Sequence, residues 1–598
     1  MAHPLHDVGT RVSFAERLAG PAVFFAAFAV YLLALAPSVT FWDSGELILG
    51  AFSLGLPHPP AYPVFCVLGK AFTLLPIGAV AYRINLMSAS FGAGVVWMLF
   101  VIAREMGGGG RLVTALSASA ALSFGFLGIF WGVCVEAEVY TGFIFIMCTM
   151  TLAMYRRSAG GGVSWLYVAA FFAGLAFASH QSALFMAPAL AVFVLTDHDG
   201  WQRPRELILA CFFFLAGLAP LLYPPVRASR SPLLNIGNPV RLDDFLWVTK
   251  LSQNLKTLAG MPGRVTALTG HGWWIFVIAA LVVLAAFVAI ARRDAFISTT
   301  GLAALGFFVG IKALTAGDVN VQKWGLQSKF YAPAALFFIL FALCALYRAT
   351  PKGWRMAPVS STFGAAFGIM MLIPPALIAY NGWSGSDNSR NWFARDFAAD
   401  TLKSVAEGAA LFGWGDNGVF PVWYLQGVER YRDDVFYVHS ELLTYRWAMS
   451  DRAREMYDRY GLRYTPRYGL GAVEQNVTDM AASLAARAPV YYDFSAAYQL
   501  GLPWSGLRPQ GLVHMAQGGT GRPQADIWDT VTARSAFDRR ADRAFAVEGV
   551  LDIYAYQCQR WGLEACGAGR VAEANRAFSI CGVFNPAAPM KRCTAKGK

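Results

Sequence analysis

The chain has 598 residues, 56% of them apolar and 14% charged, with a mean hydropathy of +0.44, which excludes a soluble globular protein of this size. Its formal net charge of +12 raises nucleic acid as a partner, but much of the Lys and Arg lies in short loops between apolar runs, as membrane topology requires, and no nucleic-acid binding is expected. A helix needs about 20 apolar residues to cross the roughly 30 Å hydrocarbon layer, so spans can be counted directly.

Eleven runs qualify: residues 18–42, 84–103, 112–135, 139–155, 158–179, 181–196, 207–226, 272–291, 296–311, 330–347 and 356–386. Several are short for a full crossing. Their unbroken apolarity selects helices over the alternating strands of a membrane barrel, so an all-α membrane bundle is expected. Ala34-Leu35-Ala36 after Arg11 and Arg17 raises a cleaved signal peptide, and Pro37 directly behind it argues against cleavage. By span parity Arg104 with Arg111, Arg156 with Arg157, Arg203 with Arg205, Arg292 with Arg293, and Arg348 with Lys352 and Arg355 share one side. The positive-inside rule makes that side the cytoplasm of an inner membrane, with the N-terminus inside and the chain after about residue 380 outside. Arg230, Arg241, Lys250 and Lys256 run against the trend in the 227–264 loop, which long loops tolerate.

The first run leaves the membrane at Ala36-Pro-Ser-Val-Thr-Phe-Trp-Asp43-Ser-Gly-Glu46. Asp43 and Glu46, three residues apart, share a face if helical, and at a water–lipid boundary such carboxylates suit general-base or metal work. A solvated pair capping an interfacial helix is the competing reading. Next, four prolines and His58 fall within the nine residues from Gly55 to Pro63, together with Tyr62. Such a segment cannot be an ordinary span, and irregular backbone at membrane depth is tolerated where it lines a cleft. Arg83 opens the second run and Arg227 ends the seventh; each suits either a phosphate or interfacial snorkelling. Glu136 and Glu138 lie between the third and fourth runs and His180 between the fifth and sixth, all on the outer side by parity. Ionisable groups at membrane depth are functional candidates, although a lone histidine at a helix end is more often structural.

From Asp387 onward charges reach soluble frequency, which divides the chain into a membrane domain (1–380), an extracytoplasmic α/β domain (381–530) and a helical tail (531–598). Strands are expected at 409–414, 435–439, 489–493 and 507–514, with a helix at 417–428 that completes a βαβ-like unit. Residues 536–578 read as helix broken at Gly562 and Gly567. Asp416, in Gly-Trp-Gly-Asp, reads as a turn and cap residue rather than part of a nucleotide loop. Cys558, Cys566, Cys581 and Cys593 cluster in the tail, consistent with two disulfides in an oxidising compartment or with four unpaired thiols.

The strings from Ala36 to Glu46, Leu56-Pro-His-Pro-Pro-Ala-Tyr-Pro63, Tyr82-Arg-Ile-Asn-Leu-Met-Ser-Ala89, Glu138-Val-Tyr-Thr141, Pro225-Val-Arg-Ala228, Asn235-Ile-Gly-Asn-Pro239 and Gly415 to Gln426 resemble a bacterial multi-spanning membrane family of formerly unknown function. That family is similar to the eukaryotic transmembrane O-mannosyltransferase of plexin-type domains, and so to the GT-C glycosyltransferases. The resemblance implies a polyprenyl-phosphate-sugar donor, transfer of mannose or another hexose to a protein, glycan or lipid acceptor, and catalysis by Asp43 with Glu46 close by. His58, Tyr62, Arg83, Glu136, Glu138, His180 and Arg227 are then the substrate-binding candidates. Leaving phosphate is neutralised either by Arg83, Arg227 and His58 or by a divalent metal, Mg or Mn; Asp-Ser-Gly-Glu in place of an Asp-Asp pair leaves a metal-independent route at least as well supported. The chain departs from the family pattern at Ala61, where glycine is expected, and at His180-Gln181, where paired histidines are common. A transporter or flippase is the rival reading, against which stands the absence of matching proline-broken segments in the two halves; an assembly factor with a membrane anchor is a second.

Overall fold

The computed structural model describes residues 14–196, 203–249, 295–314, 328–351, 361–465, 467, 471–516, 524–534, 545–586 and 591–594. The expected span at 272–291 lies outside the described residues.

Phe14–Leu33 forms the first helix. It stops short of the apolar run read from the sequence because Pro37 has no N–H to give and disfavours helix in the residue before it. The freed backbone is satisfied from neighbouring elements: Ala36 N donates to Val135 O at 2.9 Å, and Asn85 Nδ2 donates to the carbonyls of Ala36 (2.8 Å) and Ser38 (3.0 Å). Prolines and glycines shorten other runs in the same way. The third becomes Arg111–Gly125 and Gly128–Cys134, which meet at 70°, and the seventh bends by 42° at Leu218. Among the described residues four helices are long and apolar enough to cross a membrane, or six if each bent pair is one span, beside shorter apolar helices such as Pro63–Thr73 and Ser164–Ser179. This is fewer than the eleven spans that hydropathy alone predicts.

The expected boundary near residue 380 falls inside the helix Ile373–Ser386. Beyond it a mixed five-stranded sheet forms in the order β2-β1-β3-β5-β4, with β1 Ala410–Gly413, β2 Phe436–His439, β3 Val490–Asp493, β4 Leu507–Gln510 and β5 Val513–Ala516. β1 pairs in parallel with β2 and β3, so β1, the helix Asp416–Gly427 and β2 make the expected βαβ unit. The single strand expected at 507–514 is a hairpin of β4 and β5, turned at Gly511 where φ is +56°.

The tail folds as Phe545–Gly567 and Val571–Phe584, so of the two expected breaks only that at Gly567 occurs; Gly562 stays helical and packs on Phe578. Cys566 and Cys593 form one disulfide, while Cys558 and Cys581 remain thiols that each approach Ala555 O. The pair docks on the helix Phe393–Lys403, where Tyr554 donates its hydroxyl to Asp400 Oδ2 at 2.9 Å.

The helix Ser44–Ser53 joins the two parts of the molecule by packing against Asp416–Gly427. A Cβ on Gly45 would sit 2.2 Å from the Phe420 carbonyl oxygen, so glycine is the residue that permits this approach. Trp42 N donates to Asn417 Oδ1 at 2.8 Å across the same junction.

Candidate active site

Asp43 precedes the first residue of the Ser44–Ser53 helix but makes no side-chain capping bond, and its carboxylate is half-exposed. The capping role weighed from the sequence is therefore not what the structure gives it. Glu46, one turn on, is fully buried. Its Oε1 accepts from the His58 backbone N–H at 2.6 Å and its Oε2 lies 2.7 Å from His58 Nδ1. The other His58 ring nitrogen, Nε2, is hydrogen-bonded to the Tyr62 hydroxyl at 2.9 Å. Both Glu46 oxygens are thus spent on His58, which makes Glu46 a residue that orients the proline-broken loop.

That loop is held from three sides. Ala61 and Tyr62 both take left-handed backbone conformations, with φ of 68° and 41°, which explains why glycine suits position 61. Leu56 bridges to Asn235, with Leu56 N donating to Leu234 O at 2.7 Å and Ile236 N to Leu56 O at 3.0 Å. Arg227 donates Nε to Leu54 O at 2.7 Å and Nη2 to Ser53 O at 3.3 Å, and Tyr223 donates to Gly55 O at 3.0 Å. Arg227 therefore closes the C-terminal end of the Ser44–Ser53 helix.

Tyr62 stacks on His180 at 6.1 Å between ring centroids, and His180 also meets Tyr140 and Phe143, each at 5.2 Å. His180 Nδ1 accepts from Ser182 N at 3.2 Å, which makes it an aromatic wall of the recess as well as a helix cap. Glu136 and Glu138 come in from the loop before Tyr140. Glu138 is buried and ion-paired with the buried Lys329, whose ammonium also lies 5.5 Å from the centre of the Tyr140 ring. Glu138 Oε2 has no hydrogen-bond partner among the described residues. Burial, then the charge of Glu138, pushes the Glu136 carboxyl up to about 7, against the pull of Lys329.

Asp43 lies within electrostatic reach of Tyr62, Glu136, Glu138, Lys329 and Asp416. Asp416 is open to solvent yet walled by protein, and this enclosure, then Asp43 and Glu46, pushes its carboxyl up to about 6. It enters from the sheet domain, at the start of the Asp416–Gly427 helix, where the sequence points to a turn and cap residue. Asp43, Glu46, His58, Tyr62, Glu136, Glu138 and His180 are thus brought together around one recess. Arg83 is not: its guanidinium donates to the carbonyls of Thr73, Ile77 and Gly78, at the far end of the Pro63–Thr73 helix and roughly 16 Å from Tyr62 at 1.5 Å per residue. Lys329 went unnoticed in the sequence, although a lysine at the outer mouth of an apolar run, against the charge trend, was its signal. Among the described residues no three His, Cys, Asp or Glu side chains converge to hold a metal ion.

Two family models match the chain: the protein O-mannosyl-transferase TMEM260 N-terminal domain over residues 43–202 and TMEM260-associated domain 2 over residues 394–467. The first begins at Asp43 and the second contains Asp416. The chain is 27% identical over 476 residues to the protein O-mannosyl-transferase TMEM260 of Mus musculus, a match covering 73% of this chain and 64% of that protein. It is 22% identical over 490 residues to the Dictyostelium discoideum protein of the same name, covering 71% and 57%. The chain thus spans less than two thirds of the length of these relatives. Among solved structures, ArnT from Cupriavidus metallidurans bound to undecaprenyl phosphate shares the fold with a TM-score of 0.50 at 14% identity, over 85% of this chain and 100% of that one. The resemblance drawn from the motifs is borne out, and the helical bundle shares its fold with ArnT.

Proposed function

We propose that the chain is an integral-membrane glycosyltransferase that moves mannose or another hexose from a polyprenyl-phosphate donor to a hydroxyl of an extracytoplasmic acceptor. The observation that carries this reading is the recess itself, where a half-exposed, uncapped Asp43 faces a buried Lys329 and an unsatisfied Glu138 oxygen. The names of the relatives and the lipid phosphate of the fold neighbour agree with it.

The residues fit the chemistry. An alcohol is a poor nucleophile until its proton is taken, and Asp43, stationed by the Trp42 to Asn417 bond, is the base; such catalysis is worth about 10²- to 10⁴-fold. The acceptor oxygen then bonds to the anomeric carbon as the bond from that carbon to the phosphate oxygen breaks, its electron pair leaving with the phosphate. Lys329 offsets that charge from a dry, pre-organised position. Glu138 Oε2 accepts from a hydroxyl of the sugar in transit. Glu46 and His58 act through Tyr62 as positioning residues. Every step here is assigned to side chains. The bundle sits in the inner membrane with its N-terminus in the cytoplasm, and the recess and sheet domain face outward.

The test is to incubate the purified protein in lipid nanodiscs with polyprenyl-phosphate mannose, glucose and galactose and follow each by mass spectrometry. Consumption of one with release of polyprenyl phosphate is expected; survival of all three alongside every acceptor class contradicts the proposal.

A further inference from the structure

Cys558 and Cys581 take part neither in the recess nor in the Cys566–Cys593 bridge, yet they are not isolated thiols. Cys558 belongs to the Phe545–Gly567 helix and Cys581 to Val571–Phe584, and both sulfurs close on one carbonyl: Cys558 Sγ lies 3.4 Å and Cys581 Sγ 3.3 Å from Ala555 O. The two thiols also hydrogen-bond each other across the helix contact. A disulfide forms without backbone movement only where two cysteines already approach, and this pair does.

Their surroundings differ in a way that gives each a separate part in an exchange. Cys558 is fully buried, with its thiol 3.1 Å from Tyr554 O. Cys581 is only partly buried. Burial, then the bond to Cys581, pushes the Cys558 thiol up, whereas the bond to Cys558 holds the Cys581 thiol below its ordinary value against the effect of burial. The thiolate is the nucleophile in disulfide exchange, so Cys581 is the sulfur that first meets an oxidant.

Their place in the tail gives such a bond a consequence. Cys558 lies one helical turn beyond Tyr554, which donates to Asp400, and Cys581 lies just before Phe584, which stacks on Tyr554 at 4.6 Å. The Cys566–Cys593 bridge is roughly 12 Å further along the helix. A bond between Cys558 and Cys581 therefore fastens the part of the helix pair that docks on Phe393–Lys403, and the existing bridge fastens the far end.

We propose that Cys558 and Cys581 are an oxidisable dithiol, with Cys581 as the entry thiol and Cys558 as the resolving one, that closes to a second bridge between the two tail helices. Cys581 Sγ attacks one sulfur of a small-molecule or protein disulfide, forming a mixed disulfide and expelling a thiolate. Cys558 Sγ then attacks Cys581 Sγ and expels the second. The two cysteines lose two electrons to the oxidant's disulfide bond, and the two expelled thiolates take up the two protons that the cysteines lose.

Peptide mapping on the full chain in nanodiscs tests it, after reduction, equilibration in graded buffers of glutathione and glutathione disulfide, and alkylation of the remaining thiols. Trypsin cuts after Arg560 and Arg576, so the peptides carrying Cys558 and Cys581 part unless a bridge joins them. The joined peptide is expected in buffers that also restore Cys566–Cys593, which serves as the internal standard. Cys558→Ser is expected to accumulate a glutathione adduct on Cys581, and Cys581→Ser to form one on Cys558 at least about tenfold more slowly. The wild-type map decides the pairing even where a variant fails to fold. Recovery of both cysteines as alkylated thiols once Cys566–Cys593 has re-formed, bridging of either to Cys566 or Cys593 instead, or equal adduct rates in the two folded variants overturns the proposal.

Discussion

Asp43 and Glu46 stand within one helical turn, and their different surroundings divide the work between them. Glu46 has both oxygens engaged by His58, whereas Asp43 is left uncapped at the edge of the recess. Their spacing was legible in the sequence; which of them stays available was not, because that depends on where the proline-broken loop folds back. Lys329 and Asp416 were hidden for a similar reason, since each reaches the recess from an element distant in the chain. Lys329→Met should abolish high-affinity binding of polyprenyl phosphate and destabilise the fold by about 3 to 5 kcal/mol, because Glu138 is left as an unpaired buried charge. Adding Glu138→Gln should restore most of the thermal midpoint without restoring the lipid phosphate; recovery of both would remove Lys329 from donor binding. Asp416 gives a pH signature. Its folded pKa of about 6 lies above the ordinary 3.8, so the native state holds the proton longer than the unfolded chain, and stability falls as pH rises from about 4 to about 6. Asp416→Asn should flatten that part of the profile, leaving the decline toward pH 7 that Glu136 contributes; melting curves across pH 4 to 8 measure it.

At the scale of elements, the site depends on how the Ser44–Ser53 helix meets Asp416–Gly427. Gly45 lets the two backbones touch, and Gly45→Ala should cost about 1 to 3 kcal/mol by pushing them apart. It should also lower sugar transfer beyond what the stability loss explains, since the Trp42 to Asn417 bond that stations Asp43 crosses the same contact. Transfer at the wild-type rate in a stable Gly45→Ala protein would show that the junction is dispensable. The βαβ unit was legible because short, continuously buried strands and a glycine-flanked helix carry local signals; the β4–β5 hairpin was not, because Gly511 is a single residue inside an otherwise strand-like run. In the tail, closing a loop with a sequence separation of 27 by Cys566 and Cys593 should contribute about 3 to 4 kcal/mol through the unfolded chain's lost entropy. Reductant should therefore lower the unfolding transition of the helix pair, and an unchanged transition would deny the bridge that role.

Over the whole molecule, composition announced a membrane bundle followed by a more charged domain, because burying so many apolar residues in water-facing folds is not feasible. The number of spans was less legible. Prolines at 37, 220, 224 and 225 and the glycine-flanked bend after Gly125 break runs that hydropathy reads as continuous, and those breaks shape the polar recess. The recess is shared property: Asp43 comes from the loop after the first helix, Lys329 from the start of a later apolar helix, and Asp416 from the sheet domain. The measurement that bears most directly on this account is the rate at which purified wild type and Asp43→Asn, matched for melting temperature, consume a polyprenyl-phosphate sugar in the presence of acceptor. A fall of about 10²- to 10⁴-fold with lipid-phosphate binding unchanged is expected; consumption at the wild-type rate would contradict it.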